Sequence, residues 1–139
     1  MIHALGLRSI RLAVCALAAL ALLGGTTVLA ADQMSQPFAG KAVNGGTVMV
    51  SQQGGKTVLR LSSDFQVPGS PDPHWQVVDT KGTVYLLDRI KLKDDRINTS
   101  ITLPPYVQDV AKVQMWCAWA EVVLGEAPFN TPIAIAAAR

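Results

Sequence analysis

Beyond residue 31, no stretch of ten residues in this chain keeps a helical period, and that absence decides most of what it can fold into. A helix in a globular protein is held by an apolar stripe recurring at helical spacing. Without one, short extended runs separated by turns must build the core. Thr47–Ser51 and Lys56–Leu61 are two such runs, joined through Gln52-Gln53-Gly54-Gly55. A short Gly-containing connection between β-branched runs predicts a hairpin. Ser62–Pro73 contains Pro68, Gly69, Pro71 and Pro73 and reads as a shaped loop, because proline cannot donate to a ladder. Trp75–Asp79 and Thr83–Ile90 are extended runs joined by Thr80-Lys81-Gly82. Ile97–Leu103 places Ile97, Thr99, Ile101 and Leu103 on one face and stops at Pro104-Pro105. Val110–Val123 is the longest β-prone run, and Gly125 and Pro128 close the domain. The expectation is an all-β chain with one small antiparallel β-sandwich or barrel-like domain over 38–129. A loosely held polar segment, Asp32–Pro37, leads into it, and 130–139 trails off as a tail.

Residues 1–31 read as a cleavable signal peptide. Met1–Arg11 is a short basic opening, Leu12–Leu23 is an unbroken apolar run, and Gly24-Gly25-Thr26-Thr27 breaks it ahead of Val28-Leu29-Ala30. These are the n-region, h-region and small-residue cleavage pattern of an export signal, with cleavage after Ala30 or Ala31. The rival reading, an uncleaved anchor, needs about 20 predominantly apolar residues. The run reaches that length only by including the breaker. Val14 is too bulky, and the apolar core lies on the wrong side, for Cys15 to carry a lipid. The expected location is periplasmic or secreted, without a stable membrane anchor after cleavage.

Export changes the chemistry available. Arg8 and Arg11 leave with the signal, so ten basic side chains face ten acidic ones and the net charge falls to zero. That balance argues against nucleic acid or an anionic membrane as partner. His3 and Cys15 leave too, so the mature chain keeps one histidine, His74, and one cysteine, Cys117. One of each excludes an internal disulfide, blue copper, an iron–sulfur cluster and a structural zinc site within the chain. The C-x-x-C-H motif of covalent haem is absent, and no nucleophile-elbow pattern surrounds any serine. Asp94-Asp95, between Lys93 and Arg96, reads as a solvated turn tip. Asp64 and Asp72 flank the proline-rich loop, where they would accept loop N–H bonds. Asn98-Thr99-Ser100 fits the glycosylation tripeptide, which chance also produces.

Strand alternation puts Val113, Met115, Cys117 and Trp119 on one apolar face and Lys112, Gln114, Trp116 and Ala118 on the other. Cys117 is therefore expected to point inward. A buried thiol with no basic neighbour in sequence should have a raised pKa and be inert. Its other readings are a redox thiol or an axial ligand to a non-covalently held haem. His74 either bonds loop carbonyls or serves as a haem ligand or proton partner. Trp75 and Trp116 read as core or half-buried aromatics, or as part of a ligand surface with Asp64 and Asp72.

The order of residues resembles the DM13 domain family. Phe38-Ala39-Gly40, Gly46-Thr47-Val48, Leu59-Arg60-Leu61 with Asp64-Phe65, and Ser70-Pro71-Asp72 occur in the family's sequence order. Leu86–Lys93, Leu103-Pro104, Trp116-Cys117 and Gly125-Glu126-Ala127-Pro128-Phe129 continue the likeness across 38–129. Ser70 departs from it, standing where the family usually has glycine. The resemblance implies a β-sandwich-like module, found beside DOMON haem-type domains in animal surface proteins and as short exported proteins in bacteria. It also implies electron transfer through one cysteine, as a free thiol or as ligand to a group such as haem; that cysteine corresponds to Cys117. Two functions follow as expectations. One is an exported redox module with an unknown redox or protein partner. The other is a non-catalytic ligand-binding or interaction module, in which Cys117 is structural and the Ser62–Trp75 loop presents the surface.

Overall fold

The computed structural model describes residues 33–135. The proposed signal peptide, 1–31, and the last four residues of the expected tail lie outside them. The described residues form eight strands, β1 (Gln33–Met34), β2 (Val48–Gln53), β3 (Lys56–Leu61), β4 (Pro73–Val78), β5 (Val84–Arg89), β6 (Ser100–Thr102), β7 (Asp109–Cys117) and β8 (Val122–Ala134). One sheet has the order β1-β2-β3-β6 and the other β5-β4-β7-β8, and every pairing is antiparallel. The molecule is an all-β sandwich of two four-stranded sheets.

Local chemistry explains the pairings. Gln53 faces Lys56 across Gly54-Gly55, both at positive φ (57° and 74°). A two-residue hairpin turn of this hand requires that backbone, and glycine adopts it without a Cβ clash. Inward alternation supplies the core: Val48, Leu59, Trp75, Val77, Val113 and Met115 are all fully buried between the sheets. The two sheets are also stitched along one side. Ala39 and Glu126 exchange backbone hydrogen bonds of 3.0 Å, and the Gln36 N–H donates to the Pro128 carbonyl at 2.8 Å.

Three expectations change. The lead-in is anchored rather than loose, because Gln33–Met34 pairs with β2 and the Ser35 hydroxyl accepts from the Val48 N–H at 2.8 Å. The tail does not begin at 130: β8 continues to Ala134, where Val110 pairs with Ile133. β8 is an edge strand, so its Pro128 and Pro132 are tolerated where a central strand would lose ladder bonds. Trp119 does not share the face of Cys117, because β7 ends at Cys117 and a turn leaves Trp119 75% exposed.

The β4–β5 connection depends on Asp79. Its carboxylate is buried, which opposes its charge. The Thr83 N–H (2.7 Å) and hydroxyl, the Lys81 N–H (2.9 Å) and the Tyr85 hydroxyl (3.2 Å) outweigh that and lower its pKa. A carboxylate whose folded pKa is depressed contributes stability above its unfolded value, near 3.9, and loses it as pH falls through the folded value. Asp79→Asn should therefore lower the melting temperature at pH 7 and remove part of the wild type's further loss below about pH 4. Thermal melts across that range check this; parallel acid limbs for the two proteins would refute it.

Candidate functional site

The register of β4 against β7 fixes what the sequence candidates can share. Pro73 pairs with Cys117 and His74 with Trp116. Directly paired residues project from the same face of a sheet, and successive residues project from opposite faces. Cys117 thus points into the sandwich with Pro73, at 1% exposure, while His74 and Trp116 lie half-buried on the outer face. The inward direction of the cysteine agrees with the strand pattern.

The thiol is nevertheless not in a plain apolar site. β7 ends there, and the turn 118–121 folds back over the sulfur, so that the Ala120 N–H donates to Sγ at 3.4 Å. The Ser70 hydroxyl is the strongest influence on the thiol and stabilises its anion. Burial works against this, and the backbone N–H groups of Ala120, Asp72 and Trp119 add to the stabilisation. The net effect lowers the Cys117 pKa, opposite to the expectation for a buried thiol without basic neighbours. Hydrogen bonding to the charged form outweighs desolvation here. Glu121 closes the turn at φ 54°, a left-handed conformation that costs a non-glycine residue about 1 kcal/mol.

The loop carrying two of these donors is pinned from outside. The Asp72 carbonyl accepts from the Ala118 N–H at 2.9 Å, tying the loop to the turn. The Asp72 carboxylate is held by Arg89 at 2.7 Å and by His74 Nε2 at 3.1 Å. Lys91 Nζ donates to the Ser70 carbonyl at 3.1 Å. Arg89 is more than half exposed, so this pair fixes geometry more than it adds energy.

Of the residues singled out from sequence, Asp72, His74, Trp116 and Cys117 come together around the β4–β7 pair. Asp64 does not join them; it accepts from the Ser62 hydroxyl at the far end of the loop. Trp75 is core, fully buried, with its indole N–H donating to the Asn98 carbonyl at 2.9 Å. Sequence reasoning missed Ser70, Arg89, Lys91 and the Ala120 amide as partners of the site. Arg89 and Lys91 stood in the sequence only as part of the Leu86–Lys93 run, and Ser70 only as a residue of the proline-rich loop.

A haem held by Cys117 and His74 together does not fit. The two side chains project from opposite faces, and each imidazole nitrogen faces an oxygen acceptor, the Leu87 carbonyl at 3.1 Å or Asp72. No cluster of three or more potential metal ligands occurs among the described residues. The chain matches no protein-family model, no curated protein and no solved structure.

Proposed function

We propose that this chain is an exported, DM13-like redox module in which Cys117 works as a single free thiol. The observation that carries the reading is the Ala120 N–H donated to its sulfur at 3.4 Å, with the Ser70 hydroxyl and the Asp72 and Trp119 N–H groups also favouring thiolate at a buried position. The thiolate is the nucleophile in disulfide exchange. The Cys117 thiolate attacks one sulfur of a partner disulfide, forming a Cys117–partner bond as the partner's S–S bond breaks. The partner's second sulfur leaves as thiolate. Attack by a second thiolate on the partner sulfur of the mixed disulfide then releases Cys117 as thiolate. Access requires the 118–121 turn to lift, and the left-handed Glu121 makes that turn a strained element suited to opening.

The 1% exposure of Cys117 favours the second reading, an interaction module whose cysteine is structural. Alkylation of the purified protein by iodoacetamide as a function of pH separates the two. The redox reading expects reaction faster than global unfolding, with a midpoint below that of an ordinary thiol, and Ser70→Ala should move that midpoint upward. Reaction at the global unfolding rate only, in both proteins, would leave the interaction module standing.

A further inference from the structure

On the outer face of the β1-β2-β3-β6 sheet, Arg60 stands between two cross-strand neighbours, Met49 on β2 and Ser100 on β6. Its guanidinium is exposed and makes no ion pair among the described residues. Beside it runs a groove of about 470 Å³ with Met49, Phe65, Val67 and Ile97 in its walls. Met49 and Ile97 are 36% and 38% exposed, so apolar surface here is open to solvent. The groove has the volume of a small-molecule site, with apolar walls, the hydroxyl residues Ser62, Ser63 and Thr99, and one charged side chain to orient a ligand.

We infer that this groove binds a single-chain fatty carboxylate, with the head group on Arg60 and the acyl chain along Met49, Phe65, Val67 and Ile97. Arginine's planar fork matches a carboxylate in two-point geometry. The charge also sets the sign, since a cationic amphiphile would be repelled. An extended peptide is a poorer occupant. At the floor, Met49 pairs with both Met34 and Arg60, and Arg60 pairs with both Met49 and Ser100, so these positions offer no free backbone groups for strand addition. Asp64, between Ser63 and Phe65, does not line the groove, and its carboxylate accepts from the Ser62 hydroxyl. The inference is independent of Cys117, which lies in the other sheet.

The test is an amide chemical-shift titration of the purified protein with decanoate below its micellar concentration, and separately with decyltrimethylammonium and with an acetylated tripeptide bearing a free C-terminal carboxylate. Decanoate should shift residues around 49, 60–67 and 97–99 in a saturable way. Arg60→Gln should weaken binding about tenfold, the scale of one lost charge-assisted pair. Met49→Glu, at an exposed position where the fold should tolerate it, should abolish binding by pairing with Arg60. Unchanged affinity in Arg60→Gln, equal binding of the cationic amphiphile or the tripeptide, or shifts centred elsewhere would each overturn the assignment.

Discussion

Gly125→Ala is expected to cost at least about 3 kcal/mol, the upper end of what overpacking does to a core, or to prevent folding altogether. A Cβ at this position would lie 2.5 Å from the Val43 carbonyl oxygen and 2.9 Å from the Val43 Cβ. Neither neighbour can retreat. The 39–44 segment is laid directly on β8 by the Ala42 and Val43 N–H groups, which donate to the Leu124 carbonyl at 2.9 and 3.0 Å, and by the Ala39–Glu126 exchange. Gly40 makes the same approach from the other side, its missing Cβ falling 2.3 Å from the Gly125 Cα. The two glycines therefore let one backbone cross another, and the seam between the sheets depends on them. Gly69→Ala is the control: nothing lies within 4 Å of a Cβ there, so its unfolding free energy from a urea titration should stay within about 0.5 kcal/mol of wild type, with nearly the same midpoint. A Gly125→Ala midpoint equal to that of Gly69→Ala would mean that the seam is dispensable.

What was legible in the sequence follows from what is local. The β2–β3 hairpin was readable because its turn needs two left-handed residues and Gly54-Gly55 supplies them. The inward direction of Val113, Met115 and Cys117 was readable because alternation is a property of the strand itself. The turn after Cys117 was not, since Ala118-Trp119-Ala120-Glu121 contains neither glycine nor proline and Glu121 takes the left-handed conformation without either. That one missed turn misplaced Trp119 and hid the site. The sulfur's donors come from residues 70, 72, 119 and 120, and three of the four are backbone N–H groups whose identity no side chain announces. The extension of β8 was hidden by Pro128 and Pro132, which argue against a strand unless its edge position is already known.

Trp75, read from sequence as a core aromatic or as part of a ligand surface, is placed by the fold at the centre of the core. Trp75→Ala should cost about 3–5 kcal/mol, against a total stability of about 5–15 kcal/mol for a domain of this kind. Trp75→Phe should cost less, about 1–3 kcal/mol, because it keeps most of the ring and chiefly leaves the Asn98 carbonyl without its donor. Denaturant unfolding of both variants measures the difference. The informative reading is the thiol in Trp75→Phe, which should retain a folded population. Trp75 pairs with Met115, two residues from Cys117, and contributes none of the donors that act on the sulfur. The pH midpoint of Cys117 alkylation should therefore stay where it is in wild type even as stability falls. An upward shift in Trp75→Phe would mean that the thiolate depends on the packing of the core as well as on the 70–72 loop and the 118–121 turn. Local opening of that turn could then no longer be separated from loosening of the sandwich.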